Sequence, residues 1–292
     1  MSLTINPNIA AQLRWATSTI ADALPLQDSP LLDSKILLCY CLNCEQSYLH
    51  TWPEKVLTAQ QIQQFHALVE QRKLGHPIAH LLGYRDFWTL RLQVSNATLI
   101  PRPETELLVE TALELSLPAD ANVLDLGTGT GAIALALGAE QPTWHICGID
   151  KSPDAVMLAK RNAVLNHLET VTFKQSDWFN QIDNQLFELI VSNPPYVEQQ
   201  SPYLQQGDVK FEPLSALTSG EDGLDDIRFI VSHAKHYLND GAYLVLEHGY
   251  NQDVMVRSIF ESNAYVEIRS VLDLNGLPRI SLARFYRNRL VA

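Results

Sequence analysis

A strand that runs straight into three alternating glycines and then an apolar helix leaves few folds open to this chain. Val123-Leu-Asp-Leu-Gly-Thr-Gly-Thr-Gly131 reads as a short buried strand ending in a tight turn, and residues 132–138 continue as a helix. Such a strand–turn–helix unit opens a parallel sheet with helices packed on it. Gly127, Gly129 and Gly131 let backbone approach a ligand closely, with Thr128 and Thr130 between them. The helix start behind them offers unpaired N–H groups. Gly127, Gly129 and Ala132 also satisfy the dinucleotide fingerprint, so an NAD-binding module is a rival reading. Asp125 weighs against it. A carboxylate just before the turn repels a pyrophosphate but welcomes an ammonium group.

Three more apolar runs end in polar or aromatic residues. Residues 144–149 close on Asp150, 19 positions after Gly131, where an acid can take both hydroxyls of a ribose. Residues 171–175 lead to Asp177, an acceptor for an exocyclic amine, and Trp178, a surface for a flat ring. A structural reading competes at each: helix capping for the aspartates, core packing for the tryptophan. Residues 186–192 end in Asn193-Pro194-Pro195-Tyr196. Pro195 holds Pro194 extended, and neither proline has an N–H, so the carbonyls there are left to accept from something else. Asn193 adds a side-chain carbonyl and Tyr196 a ring face. Together they suit a planar group bearing an NH2. A proline-stiffened loop is the plain alternative. All four candidates fall at the carboxyl ends of strands, the edge where open α/β sheets bind ligands.

On these residues the chain resembles the class I S-adenosylmethionine-dependent methyltransferases, among them the amino-methyltransferases with Asn/Asp-Pro-Pro-Tyr/Phe. Gly83-Tyr-Arg-Asp-Phe-Trp88, Ile100-Pro-Arg-Pro-Glu-Thr-Glu106, Glu212-Pro213, Gly220-Glu-Asp-Gly-Leu224 and Leu246-Glu-His-Gly249 narrow the likeness. They point to the HemK-type protein-glutamine methyltransferases that act on peptide chain release factors. Residues 100–106 speak against the related ribosomal-protein glutamine methyltransferases. The stretch from Phe211 to Gly220 follows the family pattern less closely.

The resemblance implies a seven-stranded, mostly parallel Rossmann-like sheet whose last strand is antiparallel. It implies S-adenosyl-L-methionine as cofactor, S-adenosyl-L-homocysteine as product, and the glutamine of a Gly-Gly-Gln motif in class 1 release factors one and two as substrate. Asp125 and residues 127–131 would then hold the methionine part, Asp150 the ribose, and Asp177 with Trp178 the adenine. Asn193, Pro194 and Tyr196 would be catalytic, Pro195 and Arg102 would help shape the glutamine pocket, and Glu247 is a weaker candidate. No catalytic metal, membrane or direct nucleic-acid partner is expected, and the chain is expected to act as a monomer.

Bulk properties agree. The 292 residues, 46% hydrophobic, can bury a large core and two domains. No apolar run is long enough to span a bilayer, and the first residues lack a basic signal-peptide start. Four cysteines, none in a secretory-type framework, suit a reducing cytoplasm. Cys39, Cys41 and Cys44 cluster, but with only His50 near as a fourth ligand they read as small apolar residues of a helix rather than a zinc site. The net charge of −12 lies entirely beyond Arg85. So acidic a segment is a poor default partner for a phosphate backbone, which disfavours a nucleic-acid amino-methyltransferase and suits a basic protein substrate.

The domains expected are a helical substrate-recognition part over 1–85, a linking hairpin over 86–100 and a catalytic domain over 101–292. Ile9, Leu13, Ala16, Ile20 and Leu24 recur at helical spacing up to Pro25, and Ser29-Pro30 starts a second helix. Thr58 and Gln61 form a capping-box pattern before a third. Residues 87–94 read as a hairpin strand, 104–115 as a helix, 242–247 as a strand and 252–261 as a helix. Residues 266–272 and 280–286 read as paired strands around Asn275-Gly276.

Overall fold

The computed structural model describes residues 6–24, 29–183 and 185–287. The chain forms two compact units, Met1–Gly83 with Tyr203–Phe211, and Tyr84–Pro202 with Glu212–Ala292. The first unit is helical: α1 (Ile9–Ala23), α2 (Pro30–Leu42), α3 (Gln46–Thr51), α4 (Ala59–Lys73) and α5 (Ile78–Leu82). Asn8 caps α1 by accepting from the Ala11 N–H. Thr58 and Gln61 close both arms of the expected capping box on α4. Pro25, expected to end α1, lies outside the described residues. The short helices α3 and α5 carry no pattern that the sequence reading uses. Ile9, Ile20, Leu37, Leu38, Phe65 and Val69 form the core of this unit, with the half-buried Cys39, Cys41 and Cys44 packed against it.

The second unit opens with the hairpin β1 (Tyr84–Phe87) and β2 (Leu90–Gln93), so the boundary expected after Arg85 falls inside a strand. It continues through α6 (Glu106–Leu113), β3 (Asn122–Leu126), α7 (Ala132–Glu140), β4 (His145–Asp150), α8 (Pro153–Leu165), β5 (Thr172–Gln175) and β6 (Phe187–Ser192). Then follow α9 (Asp225–Ala234), β7 (Leu238–Glu247), α10 (Asp253–Ser262), β8 (Val266–Leu272) and β9 (Pro278–Phe285). The helix expected over 104–115 is shorter, because Pro103–Thr105 forms a 3-10 turn ahead of α6.

The large sheet has the order β5-β4-β3-β6-β7-β9-β8. Pairing is parallel from β5 to β7, and β9 inserts antiparallel between β7 and β8. This is the expected seven-stranded sheet with an antiparallel last strand. Side-chain alternation sends Val123, Leu189 and Val245 into one core and Leu124, Ile190 and Leu244 into another. Both faces are covered, which explains strands that are apolar throughout. The chain starts at β3, moves outward to β5, and returns to β6 on the other side. The crevice at that reversal is where such sheets take ligands.

Candidate active site

The site grows from the end of β3. Gly127, Gly129 and Gly131 all adopt positive φ, at 70°, 55° and 84°. Gly131 also opens α7 at a crowded point, where a Cβ would stand 3.1–3.2 Å from Phe173, Ala159 and Leu135. A Cβ on Gly127 would stand 3.7 Å from the Trp178 ring, so loop and indole lie close together. Thr128 N–H donates to Ile149 O at 2.8 Å, seating the loop on β4. Beneath it, the fully buried Asp125 accepts from the Thr128 hydroxyl at 2.6 Å through Oδ2.

Asp150 ends β4. Its Oδ2 accepts from Gly129 N–H at 3.0 Å and its Oδ1 from Ser152 N–H at 2.9 Å. Burial raises its pKa, and the two N–H groups oppose that shift. Each carboxylate oxygen keeps further acceptor capacity. After β5, Ser176 Oγ donates to Trp178 O at 2.6 Å, and Trp178 takes φ 47°. The loop thus turns the indole toward the glycines.

Asn193 follows β6, whose Ser192 hydroxyl donates to Leu126 O at 2.7 Å and joins the two central strand ends. Asn193 Nδ2 donates to Thr105 Oγ1 at 3.0 Å. The Tyr196 hydroxyl donates to Glu247 Oε1 at 3.2 Å. Gln252 Nε2 donates to Tyr196 O at 3.0 Å. Gly223 leaves room for that carbonyl, since a Cβ there would stand 2.2 Å from it. Arg102 is held by Glu212, a buried carboxylate that also accepts from Ile100 N–H at 3.0 Å.

Many of these pieces line one cleft. Residues 127–130, Asp150, Asp177, Trp178, Asn193, Pro195 and Arg102 all face it. Asp125, Gly131, Pro194 and Tyr196 do not line it. The direct ammonium contact expected of Asp125 therefore gives way to a carboxylate buried under the loop. Sequence reasoning quoted Thr105 and Glu212 within motif stretches but gave no individual role to either, nor to Gln252 and Asn162. Asn162 donates to Thr130 O at 2.8 Å and pairs both ways with Gln93. A lone buried amide in an apolar helix face was the one available signal. Among the described residues no group of three or more His, Cys, Asp or Glu could hold a metal ion, and no helix is long and apolar enough to cross a membrane.

Two carboxyls stand out electrostatically. Burial, opposed by the Thr128 hydroxyl, pushes Asp125 up to about 7. Burial likewise pushes Glu247 up to about 7. Raised folded-state values mean that the folded chain binds protons more tightly than the unfolded one. The associated stability is present below the ordinary carboxylate range and is lost as pH rises through about 7. Denaturation midpoints measured at pH 5 and pH 8 are expected to show this fall. Asp125→Asn should flatten the slope, and an unaltered slope would contradict the assignment.

Two family descriptions match the chain: Methyltransferase small domain over residues 103–207, and PrmC N-terminal domain over residues 11–83. A release factor glutamine methyltransferase of Vibrio cholerae is 47% identical over 290 residues, covering 99% of each chain. That of Escherichia coli strain K12 is 45% identical over 273 residues, covering 94% of this chain and 98% of its own. The chain belongs to the release factor glutamine methyltransferase family. Solved structures give the same fold at low identity. The catalytic domain of hMettl16, in complex with a MAT2A 3'UTR hairpin, has a TM-score of 0.57 at 13% identity, covering 76% of this chain and 82% of its own. A methyltransferase from Pyrococcus furiosus gives 0.52 at 16%, covering 75% and 96%.

Proposed function

We propose that this protein methylates the side-chain amide nitrogen of the Gly-Gly-Gln glutamine in class 1 release factors one and two, using S-adenosyl-L-methionine. The observation that carries this reading is the Asn193-Pro194-Pro195-Tyr196 turn behind β6, whose Asn193 and Pro195 line the cleft, in a chain alike to its family over nearly its whole length. The helical part, residues 1–85, recognises the substrate, 86–100 links, and 101–292 carries the chemistry. The protein works as a monomer in the cytoplasm.

The lining suits the cofactor. Asp150 has acceptor capacity for a ribose, and Trp178 on the cleft wall offers a face for a flat base, with Asp177 beside it for the amine. Residues 127–131 bring backbone to the methionine part, and Asp125 acts on it through Thr128. When bound, this cofactor supplies an electrophilic methyl on a good sulfonium leaving group. An amide nitrogen is a weak nucleophile because its electron pair is delocalised into the carbonyl. The residues therefore contribute mainly alignment and local electrostatics. Asn193 Oδ1 and the Pro194 carbonyl accept the two amide hydrogens and aim the nitrogen. The Tyr196 ring supports the amide plane. The same acceptors stabilise positive charge growing on nitrogen as the N–C bond forms. The proton would leave to water after transfer, so no strong general base is needed. Arg102, pinned by Glu212, shapes the pocket wall rather than pairing with an anion.

Mass spectrometry of release-factor glutamine, with and without this protein, tests the reaction. A gain of one methyl on that residue is expected, and labelled methyl appearing on RNA or DNA instead would overturn it. Asp150→Ala should weaken cofactor binding by about 1–3 kcal/mol in calorimetry, the range for stranding polar groups. An unchanged affinity would remove the ribose assignment.

A further inference from the structure

The Asn193 amide has two ends, and only one of them can receive an amide hydrogen. Asn193 stands half-buried at the cleft, and Thr105 beside it is 4% exposed. The Nδ2–Oγ1 contact of 3.0 Å joins residues 88 positions apart. Thr105 has a single hydroxyl hydrogen. In that contact its oxygen accepts from the Asn193 NH2. That leaves Oδ1 for the cleft.

Glu247 holds the other end of the turn. It closes β7, is 1% exposed, and takes the Tyr196 hydroxyl through Oε1. The two ends of the Asn193–Tyr196 turn are thus anchored on neighbouring buried groups, one at the start of α6 and one at the end of β7.

We propose that Thr105 and Glu247 are positioning residues for the amide clamp, Thr105 turning Asn193 Oδ1 toward the substrate and Glu247 fixing the Tyr196 ring by its hydroxyl. This rests on the clamp reading above. A half-turn of the Asn193 amide would present hydrogens to hydrogens, and the substrate nitrogen would lose its aim. Neither residue need touch substrate or cofactor.

The test uses the full chain, a purified release factor and labelled S-adenosyl-L-methionine. Thr105→Val keeps the shape and removes the hydroxyl; Thr105→Ser keeps the hydroxyl. Thr105→Val should lower kcat about tenfold or more, the scale of a misaimed nucleophile. KM for the release factor and the affinity for S-adenosyl-L-homocysteine should each stay within about threefold. Thr105→Ser should recover kcat to within about threefold of the parent. If Thr105→Val melts well below the parent, Thr105→Ala takes its place with the same expectations. Equal kcat in the hydroxyl-bearing and hydroxyl-free variants would overturn the Thr105 role. For Glu247, Glu247→Leu and Tyr196→Phe should each lower kcat, and the double variant should fall no further than the worse single one. Fully additive losses would overturn the Glu247 role. Asn193→Ala in the same assay separates the two readings. If it loses activity while Thr105→Val turns over at the parent rate, positioning fails and the clamp survives. If it retains parent activity, both fail.

Discussion

Asn193→Ala is expected to lower kcat for glutamine methylation by about 10²–10³-fold, the usual loss when one preorganised polar group leaves a transition-state site. The side chain sits where the cleft meets the end of β6, and its Nδ2 is already committed to Thr105. Truncation removes Oδ1, the acceptor for one amide hydrogen. The substrate nitrogen then keeps a single acceptor and can swing away from the methyl. Cofactor binding should persist, because residues 127–130, Asp150 and Trp178 are untouched. Calorimetry with S-adenosyl-L-homocysteine alongside steady-state kinetics checks both halves. A variant that turns over at the parent rate would remove the clamp from the mechanism.

The largest stability effect is expected at Arg72, which lies far along the chain from these residues. Arg72 is 1% exposed and bonds Asp33 at 2.8 Å through Nε and Asp208 at 2.9 Å through Nη1. Nη1 also donates to His76 O at 3.0 Å. Asp33 is itself buried, and burial raises its pKa against the opposing pull of Arg72. Arg72→Met would strand that carboxylate, a change that typically costs about 3–5 kcal/mol. Hydrogen exchange of α2 and α4 should show the loss. Without the guanidinium, the folded-state value of Asp33 rises further, so the variant's remaining stability is greater at low pH and is lost as pH rises. The deficit should therefore be larger at pH 8 than at pH 5. Arg72→Lys should recover only part of it, since one ammonium cannot reproduce the planar fork. If Arg72→Met matches the parent in exchange, the buried Arg72–Asp33 pair contributes little.

Much of this molecule was legible before any coordinates. Residues 123–138, 144–150 and 186–196 each carry a local signal: an apolar run, a turn made by glycine or proline, and a polar group behind it. Strand and turn chemistry act over a few positions, so such signals survive in one dimension. The capping box at Thr58 and the start of α2 at Pro30 are local in the same way. The hairpin began earlier than expected, at Tyr84, because its register depends on pairing with Gln93 rather than on composition.

The supporting groups were not legible. Thr105, Glu212 and Gln252 are ordinary polar residues in sequence, and their partners lie 88, 110 and 56 positions away. Asp125 shows the same limit from the other side. Its neighbours in sequence marked it for a ligand, yet β3 is buried on both faces and takes the carboxylate inside with it.

The linear chain by itself determined the strand–glycine–helix unit, the parallel sheet and the Asn-Pro-Pro-Tyr turn, because each is encoded by neighbours whose backbone preferences act within one element. Tertiary structure alone decided which end of the Asn193 amide faces the cleft, what holds Arg102 and where Asp125 points. Those choices belong to buried polar groups, and a buried polar group takes its direction from whichever partner the fold brings within about 3 Å.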